Sequence, residues 1–142
     1  MVVVTANQRD IILDAVKAMY TAVAEAPEQE FHFPTGRRAC EFVGYSAAQL
    51  DAIPPEAVES FAGVGYPFAA DVIREGDSVL DIGSGSGTDA LIASRLAGPR
   101  GRVFALDMTE AMRRKLQANA ARAGANNIEV IDGNAESIPL PD

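Results

Sequence analysis

The sequence predicts an α/β fold: a helical N-terminal segment, residues 1–76, followed by the first half of a doubly wound parallel sheet, residues 77–142. Three observations lead to this prediction. The first segment carries helix-start patterns separated by prolines and glycines. From residue 78, apolar strand-length runs alternate with helix-length segments in the order β-α-β-α-β. A glycine-rich turn joins the first of these strands to the helix that follows it, as in doubly wound sheets.

The first segment opens with a long helix. Thr5 and Gln8 have the spacing of a capping box, and we expect the helix to end near Glu25, before Pro27. Its apolar residues at helical spacing are Ile11, Ile12, Ala15, Val16, Met19 and Val23.

In the remainder of the first segment, prolines, glycines and a capping box predict where helices begin and end. Residues 27–45 are mixed, with a turn at Pro34 and Gly36. A second capping box, Ser46 with Gln49, starts a short helix, SAAQLDAI. Two further helices are expected, EAVESFAG after a proline pair and FAADVIRE before Gly76.

Three strands follow, SVLDIG, RVFALD and NIEVID, with DALIASRLAG and a helix from Thr109 to Gly124 between them. SVLDIG is apolar on both faces, which is typical of a parallel strand covered on both sides. In the strand order 3-2-1-4-5, a fourth strand would pair with SVLDIG, but the chain ends at IPLPD. We therefore expect an unpaired apolar edge, which favours a homodimer, and a chain that is a fragment or one part of an assembly.

Composition narrows the function. Twenty acidic residues against 12 basic ones give a net charge of −8, which disfavours nucleic acid and anionic membrane surfaces as partners. Cys40 is the single cysteine, so an internal disulfide or a multi-cysteine metal site is excluded, and we expect no metal. The N-terminus lacks the features of a signal peptide and no apolar run is long enough to span a membrane, so we expect a cytoplasmic protein.

The glycine-rich turn has the pattern D-x-G-x-G-x-G, formed by Asp81, Gly83, Gly85 and Gly87. Dinucleotide sites use G-x-G-x-x-G, so this spacing disfavours a nicotinamide-dependent oxidoreductase. A ligand without a phosphate needs only a close approach of the backbone and acceptors for its polar groups. S-adenosylmethionine fits this description, with Asp81 on the side of its amino group.

Two further features lie on the same edge of the predicted sheet. Asp107 ends the second strand, 24 residues after Gly83, where a carboxylate can accept both ribose hydroxyls. After the third strand comes a polar turn of Gly133, Asn134, Ala135 and Glu136. Ligands bind at the carboxyl edge of such sheets, so these groups predict one site.

The stretch VLDIGSGSGTDALIASRLAGPRGRVFALDMTEAM, followed by NNIEVIDGNAESIPLPD, resembles the class I S-adenosylmethionine-dependent methyltransferases. Within them it is similar to the arsenite methyltransferase-like branch, over roughly residues 56–142. The resemblance implies methyl transfer to a small-molecule acceptor. It implies that the methionine end of the cofactor is held by Asp81, Gly83, Ser84, Gly85 and Gly87. It places Asp107 and Met108 beside the ribose and adenine, and Asn134, Ala135 and Glu136 in the adenine site.

One departure from that branch concerns the acceptor. The branch carries a cysteine in a G-C-G-N-P stretch before the first strand, whereas this chain has Gly63-Val64-Gly65-Tyr66-Pro67, with Val64 at the thiol position. As(III) is a soft ion that prefers several thiolate ligands, and Cys40 alone is too few. We therefore expect an acceptor other than arsenite.

Several side chains admit both a functional and a structural interpretation. His32, Arg37, Arg38 and Cys40 could serve as base, anion ligands or nucleophile, but packing or solvation is the commoner role of such residues. Four aromatic residues could wall the ligand site or form the core of the helical segment: Tyr45, Phe61, Tyr66 and Phe68. A non-catalytic, self-associating module is the main alternative to an enzyme.

Overall fold

The computed structural model describes residues 5–141, which form a layer of helices packed on a small parallel sheet. The elements, in chain order, are α1 (Ala6–Glu25), α2 (Gly36–Val43), α3 (Ala47–Asp51), α4 (Pro55–Glu59), a 3-10 turn (Pro67–Ala70), β1 (Ser78–Ile82), α5 (Thr88–Ala97), β2 (Arg102–Asp107), α6 (Glu110–Ala123) and β3 (Ile128–Asp132). The predicted α/β class and the β-α-β-α-β order are confirmed. Within residues 5–141, no helix combines the length and the apolar character needed to cross a membrane.

In the sheet, the order of the described strands is β1-β2-β3 and both pairings are parallel. The register pairs Val79 with Val103 and Ala105 with Val130. Side chains on this face pack against both α5 and α6, since the two crossovers run in the same direction.

On the opposite face the sheet is only partly covered. Leu80 and Ile82 of β1 are 39% and 47% exposed. SVLDIG was predicted to be covered on both faces, and that part of the prediction is wrong for the described residues, because α5 and α6 lie on one side. Among residues 5–141, β1 pairs with β2 alone, and the association of another chain with its free edge stays a prediction.

Both predicted capping boxes form. The hydroxyl of Thr5 accepts a hydrogen bond from the Gln8 amide, and Ser46 does the same for Gln49. The predicted apolar stripe of α1 is accurate only in part: Val23 is buried, but Ile11 is 61% exposed, and Tyr20, which lies outside the stripe, packs beside Val23.

Two predictions in the helical segment are wrong. FAADVIRE is not a helix beyond the 3-10 turn, because Asp71 adopts a left-handed conformation and the Asp77 carboxylate accepts the Arg74 amide. A side chain that bonds a nearby backbone amide competes with helix formation. Conversely, the mixed region contains α2, which begins at Gly36 and buries Cys40.

Long-range polar contacts attach the helical segment to the sheet layer. Lys115 of α6 donates to the carbonyl of Ala24 at the end of α1 (3.0 Å) and to the hydroxyl of Ser60 after α4 (2.9 Å). The Ser60 hydroxyl in turn donates to the carbonyl of Val23 (2.8 Å). A cation at a helix C-terminus also offsets the negative end of the helix dipole. The domain boundary at residues 76 and 77 stays a prediction.

Gly87 provides a test of packing between the glycine-rich turn and α6. Its φ of 103° is unfavourable for residues with a Cβ, and an added Cβ would lie 2.9 Å from Leu116 Cγ. We expect Gly87→Ala to lower the free energy of unfolding by more than the roughly 1–2 kcal/mol of a left-handed alanine. Urea denaturation measures this.

Gly124→Ala is the matched control, since Gly124 also has a positive φ but no atom within 4 Å of an added Cβ. Equal losses of stability in the two variants would contradict the packing role of Gly87.

Candidate functional site

The glycine-rich turn between β1 and α5, residues 83–87, is held in place from three sides. From the sheet, the carbonyl of Leu106 accepts the amides of Gly83 (2.8 Å) and Ser84 (3.0 Å). From α4, the carbonyl of Ala57 accepts the Ser86 hydroxyl (2.6 Å). From α6, the Asn119 side-chain amide donates to the carbonyl of Ser86 (2.9 Å). The turn therefore depends on both segments of the chain.

Asp107, the acid predicted at the end of β2, fixes the centre of that turn. Its Oδ2 accepts the amide of Gly85 (2.9 Å) and its Oδ1 accepts the amide of Thr109 (2.8 Å). The side chain is buried, with the residue 9% exposed. Each carboxylate oxygen has two lone pairs, so acceptor capacity is left for a ligand. The structure thus adds a structural role to the residue predicted to bind ribose.

A cleft of about 580 Å³ opens at the carboxyl edge of the sheet, above the turn. It is lined by eight of the ten residues that the sequence predicts for cofactor binding: Gly83, Ser84, Gly85, Asp107, Met108, Asn134, Ala135 and Glu136. The turn leaves open space toward the cleft, because a Cβ on Gly83 would meet no atom within 4 Å and one on Gly85 only Met112 Sδ, at 4.0 Å. A volume of this size is typical of sites for small molecules and cofactors.

Two of the ten predicted residues lie elsewhere. Gly87 faces Leu116 and packs the turn against α6 instead of lining the cleft. Asp81 lines a smaller neighbouring cavity of about 240 Å³, next to the open side of β1. Its alternating position in the strand places it on the face that packs against α5.

The turn after β3 closes one end of the cleft. Oδ1 of Asn134 accepts the amides of Glu136 (2.9 Å) and Ser137 (3.1 Å), so this side chain shapes the turn that the sequence predicted. The Glu136 carboxylate forms an ion pair with Arg9 of α1. The pair links the rim of the cleft to the N-terminal helix.

Sequence reasoning missed the wall contributed by the helical segment and by the start of α5. These lining residues are Leu13, Tyr20, Ala62, Gly63, Val64, Thr88 and Asp89. Most of them lie far along the chain from the glycine-rich turn and gave no signal, whereas Thr88 and Asp89 follow that turn directly in the sequence.

Of the four aromatic residues that could line the ligand site or form the core of the helical segment, some do one and some the other. Phe61 lines the cleft and is 7% exposed. Tyr45 lies in the core, with its ring 5.3 Å from that of Phe61 and 4.8 Å from that of Tyr66, both edge-to-face. Phe68 lines the smaller cavity beside β1.

The remaining candidates take structural positions. Cys40 is fully buried, and burial raises the pKa of its thiol to about 12, so it is a thiol and not a thiolate at neutral pH. Arg37 forms surface ion pairs with Glu41 and Asp51. His32 and Arg38 are exposed and do not line the cleft. No group of three or more metal-ligating side chains is found among residues 5–141.

Two carboxyl groups near the turn have perturbed pKa values. Burial, together with the nearby charges of Asp89 and Asp107, raises the pKa of Asp81 from 3.8 to about 7. Burial also raises the pKa of Asp89, while the hydrogen bond donated by Tyr45 opposes that rise. Oδ2 of Asp81 and Oγ of Ser84 are buried without a hydrogen-bond partner among the described residues. Buried polar groups are normally paired, so the unpaired hydroxyl of Ser84 in the turn and the unpaired oxygen of Asp81 at the end of β1 are available to a ligand or to water.

Together, the parallel strands, the glycine-rich turn at their carboxyl edge and the cleft define an α/β domain built to bind a small molecule there. Comparison with known proteins identifies the kind of domain. A family model described as "Methyltransferase domain" matches residues 73–142. The chain is 34% identical over 102 residues to an arsenite methyltransferase of Halobacterium salinarum, covering 72% of this chain and 26% of that protein.

Solved structures agree. An arsenic(III) S-adenosylmethionine methyltransferase from Chlamydomonas reinhardtii superposes with a TM-score of 0.53 at 36% identity, over 61% of this chain and 31% of that one. A S-adenosylmethionine-dependent methyltransferase from Aquifex aeolicus superposes with a TM-score of 0.51 at 28% identity, over 74% of this chain and 50% of that one. Residues 73–142 therefore belong to the class I S-adenosylmethionine-dependent methyltransferases and resemble the arsenite methyltransferases among them. The chain spans about a quarter to a half of the length of these relatives.

The buried carboxyl of Asp81 predicts a pH dependence of stability. Because folding raises its pKa, the folded chain keeps a proton that the unfolded chain releases between pH about 4 and about 7. The free energy of unfolding therefore falls as pH rises through this window. We expect Asp81→Asn to match the wild type near pH 4 and to exceed it at pH 8, by on the order of a few kcal/mol.

Denaturant titrations across this pH range measure the effect. Asp10→Asn, which changes an exposed carboxyl on α1, should leave the pH dependence unchanged. A variant of Asp81 with the same pH dependence as the wild type would show that the prediction is wrong.

Proposed function

We propose that this chain binds S-adenosylmethionine in the cleft at the carboxyl edge of the sheet, and that the whole protein transfers its methyl group to a small-molecule acceptor. One observation carries the proposal. The glycine-rich turn, Asp107 and the turn after β3 converge on a single cleft of suitable volume, in a domain of methyltransferase type. The fit is supported by the open space at Gly83 and Gly85 and by the unpaired hydroxyl of Ser84.

In this proposal each part of the rim has a task. The backbone of residues 83–85 and the Ser84 hydroxyl would hold the methionine end, as the resemblance implies. Asp107 and Met108 would lie beside the ribose and adenine, and the turn at residues 134–136 would close the adenine side. Asp81, which lies in the neighbouring cavity, would attract the amino group of the cofactor. Gly87 would not touch the cofactor and would keep the turn packed against α6.

When bound, S-adenosylmethionine supplies an electrophilic methyl group on a sulfonium sulfur. A sulfonium leaves as a neutral thioether, so this chain does not have to supply a general acid for the leaving group. The residues would contribute orientation and exclusion of water. Tyr20 of α1 and Phe61, which line the cleft from the helical segment, provide apolar cover for that purpose.

Arsenite is disfavoured as the acceptor. Cys40 is the one cysteine of the chain, and it is fully buried as a thiol of raised pKa, outside the cleft. Val64, at the position where the arsenite methyltransferase-like branch carries a thiol, lines the cleft and is 98% exposed. We propose that a small molecule recognised without thiolate coordination is methylated instead.

Binding of S-adenosylhomocysteine, the product form of the cofactor, tests the main proposal. Calorimetric titration of the 142-residue chain should give a dissociation constant in the micromolar range, about 1–100 μM. Asp107→Ala should abolish binding, because it removes a ligand acceptor and also frees the amides of Gly85 and Thr109.

Glu129→Ala is the control, since Glu129 is also an acid on β3 and its carboxylate pairs with Arg102 at the surface, outside the lining of the cleft. Circular dichroism verifies that each variant is folded. A folded wild-type chain that binds no S-adenosylhomocysteine would show that the proposed function is wrong.

The uncovered side of β1 supports a second proposal, that two copies of this chain associate through it. Leu80 and Ile82 on the strand are partly exposed, and Val72, beside the same small cavity, is 69% exposed. An edge strand with apolar side chains pairs readily with another chain, and a symmetric dimer would join the two β1 edges.

Sedimentation velocity tests this association. The wild type should show a concentration-dependent dimer, and Leu80→Lys should shift it to monomer, because the lysine places a charge in the interface. Phe42→Lys, at an 89% exposed position on α2, should have no effect. A monomeric wild type at all concentrations, or equal effects of the two lysines, would contradict a β1 interface.

A further inference from the structure

The side of the main cleft that the helical segment contributes carries no charged side chain. This side, which we call the helical wall, consists of Leu13 and Tyr20 of α1 and of residues 60–64 after α4. The hydroxyl of Ser60 is already used within the protein, since it donates to the carbonyl of Val23. Within the described part of the chain, the phenol of Tyr20 is then the one side-chain polar group that the helical wall can offer. A ligand that lies against this wall therefore meets mostly apolar surface.

Gly63 determines how Val64 is presented to the cleft. A Cβ added to Gly63 would lie 2.7 Å from Cζ of Phe61, so the ring of Phe61 lies directly against the Gly63 backbone. Phe61 is buried by this packing, whereas Val64 lines the cleft and is almost fully exposed. An exposed apolar side chain in a concave site is stabilised when the apolar surface of a ligand covers it.

The charges around the rest of the cleft disfavour an anionic ligand. The described residues that line it include no lysine, arginine or histidine, and its acidic residues are Asp89, Asp107 and Glu136. Each acid has a partner within the protein. Asp107 accepts two backbone amides. Glu136 pairs with Arg9, and Asp89 accepts the hydroxyl of Tyr45. An anion in the cleft would find no cation to pair with, and a buried charge without a partner is unfavourable.

We propose that the methyl acceptor is an uncharged, predominantly apolar molecule that packs against the helical wall at Tyr20 and Val64. This inference rests on the proposed function and names the class of acceptor within it. In that function the sheet side of the cleft holds the cofactor, so the helical wall is the surface that remains for the acceptor. Molecules with a carboxylate or phosphate group are rejected, because their charge would stay unpaired in the cleft.

Two fluorescent probes that differ in charge test the proposal. At neutral pH 2-naphthol is uncharged, whereas 2-naphthoate carries a carboxylate on the same ring system. The chain contains no tryptophan, so the fluorescence of the naphthyl group can be followed without that background. With the chain saturated by S-adenosylhomocysteine, we expect 2-naphthol to bind more tightly than 2-naphthoate by on the order of tenfold or more, because the carboxylate lies near acidic groups and has no cation partner.

Val64→Lys tests whether the helical wall is responsible for this preference. The lysine supplies a cation and removes apolar surface, so it should weaken the binding of 2-naphthol and strengthen that of 2-naphthoate, and the preference should shrink by about tenfold. Because Val64 is almost fully exposed, the variant should fold as the wild type does. Phe42→Lys is the matched control, since it also replaces an exposed apolar residue by lysine but lies on α2, outside the lining of the cleft. It should leave the preference unchanged.

The outcomes separate this inference from the proposed function. Equal affinity of the wild type for the two probes, or an unchanged preference in Val64→Lys, would overturn the inference while leaving cofactor binding intact. The same holds if 2-naphthol binds only without S-adenosylhomocysteine, since it would then occupy the cofactor's part of the cleft. A chain that binds S-adenosylhomocysteine but neither probe would also contradict the proposed class of acceptor. A folded chain that binds no S-adenosylhomocysteine would overturn both proposals.

Discussion

The conformation of residues 83–87 depends on the carboxylate of Asp107. It accepts one amide from the glycine-rich turn and one from the start of α6, so a single side chain joins the first crossover of the sheet to the second. Both bonds are charge-assisted and largely shielded from water, which makes them stronger than neutral bonds at a surface. The same carboxylate faces the cleft, and the geometry of the binding surface is therefore set before any ligand arrives.

The helical segment completes the site. The carbonyl of Ala57 on α4 accepts hydroxyls from Ser86 and Thr88, on either side of the last glycine of the turn. The Tyr45 hydroxyl donates a hydrogen bond to the Asp89 carboxylate in the first turn of α5. Arg9 of α1 forms an ion pair with Glu136 at the rim of the cleft. Each contact joins residues separated by at least 29 positions in sequence, so the pocket forms only when both segments have folded together.

Local rules predicted much of this architecture. Both capping boxes form because their side chains satisfy helix-end amides within a span of four residues. The three strands and two helices after residue 77 follow from apolar periodicity and from glycines that end the helices. The errors lie where tertiary contacts override local preference. FAADVIRE has helical composition, but it leads into β1. The Asp77 carboxylate accepts a hydrogen bond from the Arg74 amide, which a helix would use for its own backbone bonding.

The sequence by itself determined the fold class, the glycine-rich turn, and the convergence of Asp107 and the turn after β3 on one edge, because parallel strands place their carboxyl ends together. Only the tertiary structure decided which of those residues face the cleft. Gly87 turned out to serve packing because Leu116 lies against it, and Asp81 lies in a second cavity because strand residues alternate between faces. The hydrogen bond from Tyr45 to Asp89 also depended on the tertiary structure, since Tyr45 comes from a helical segment whose approach no local pattern encodes.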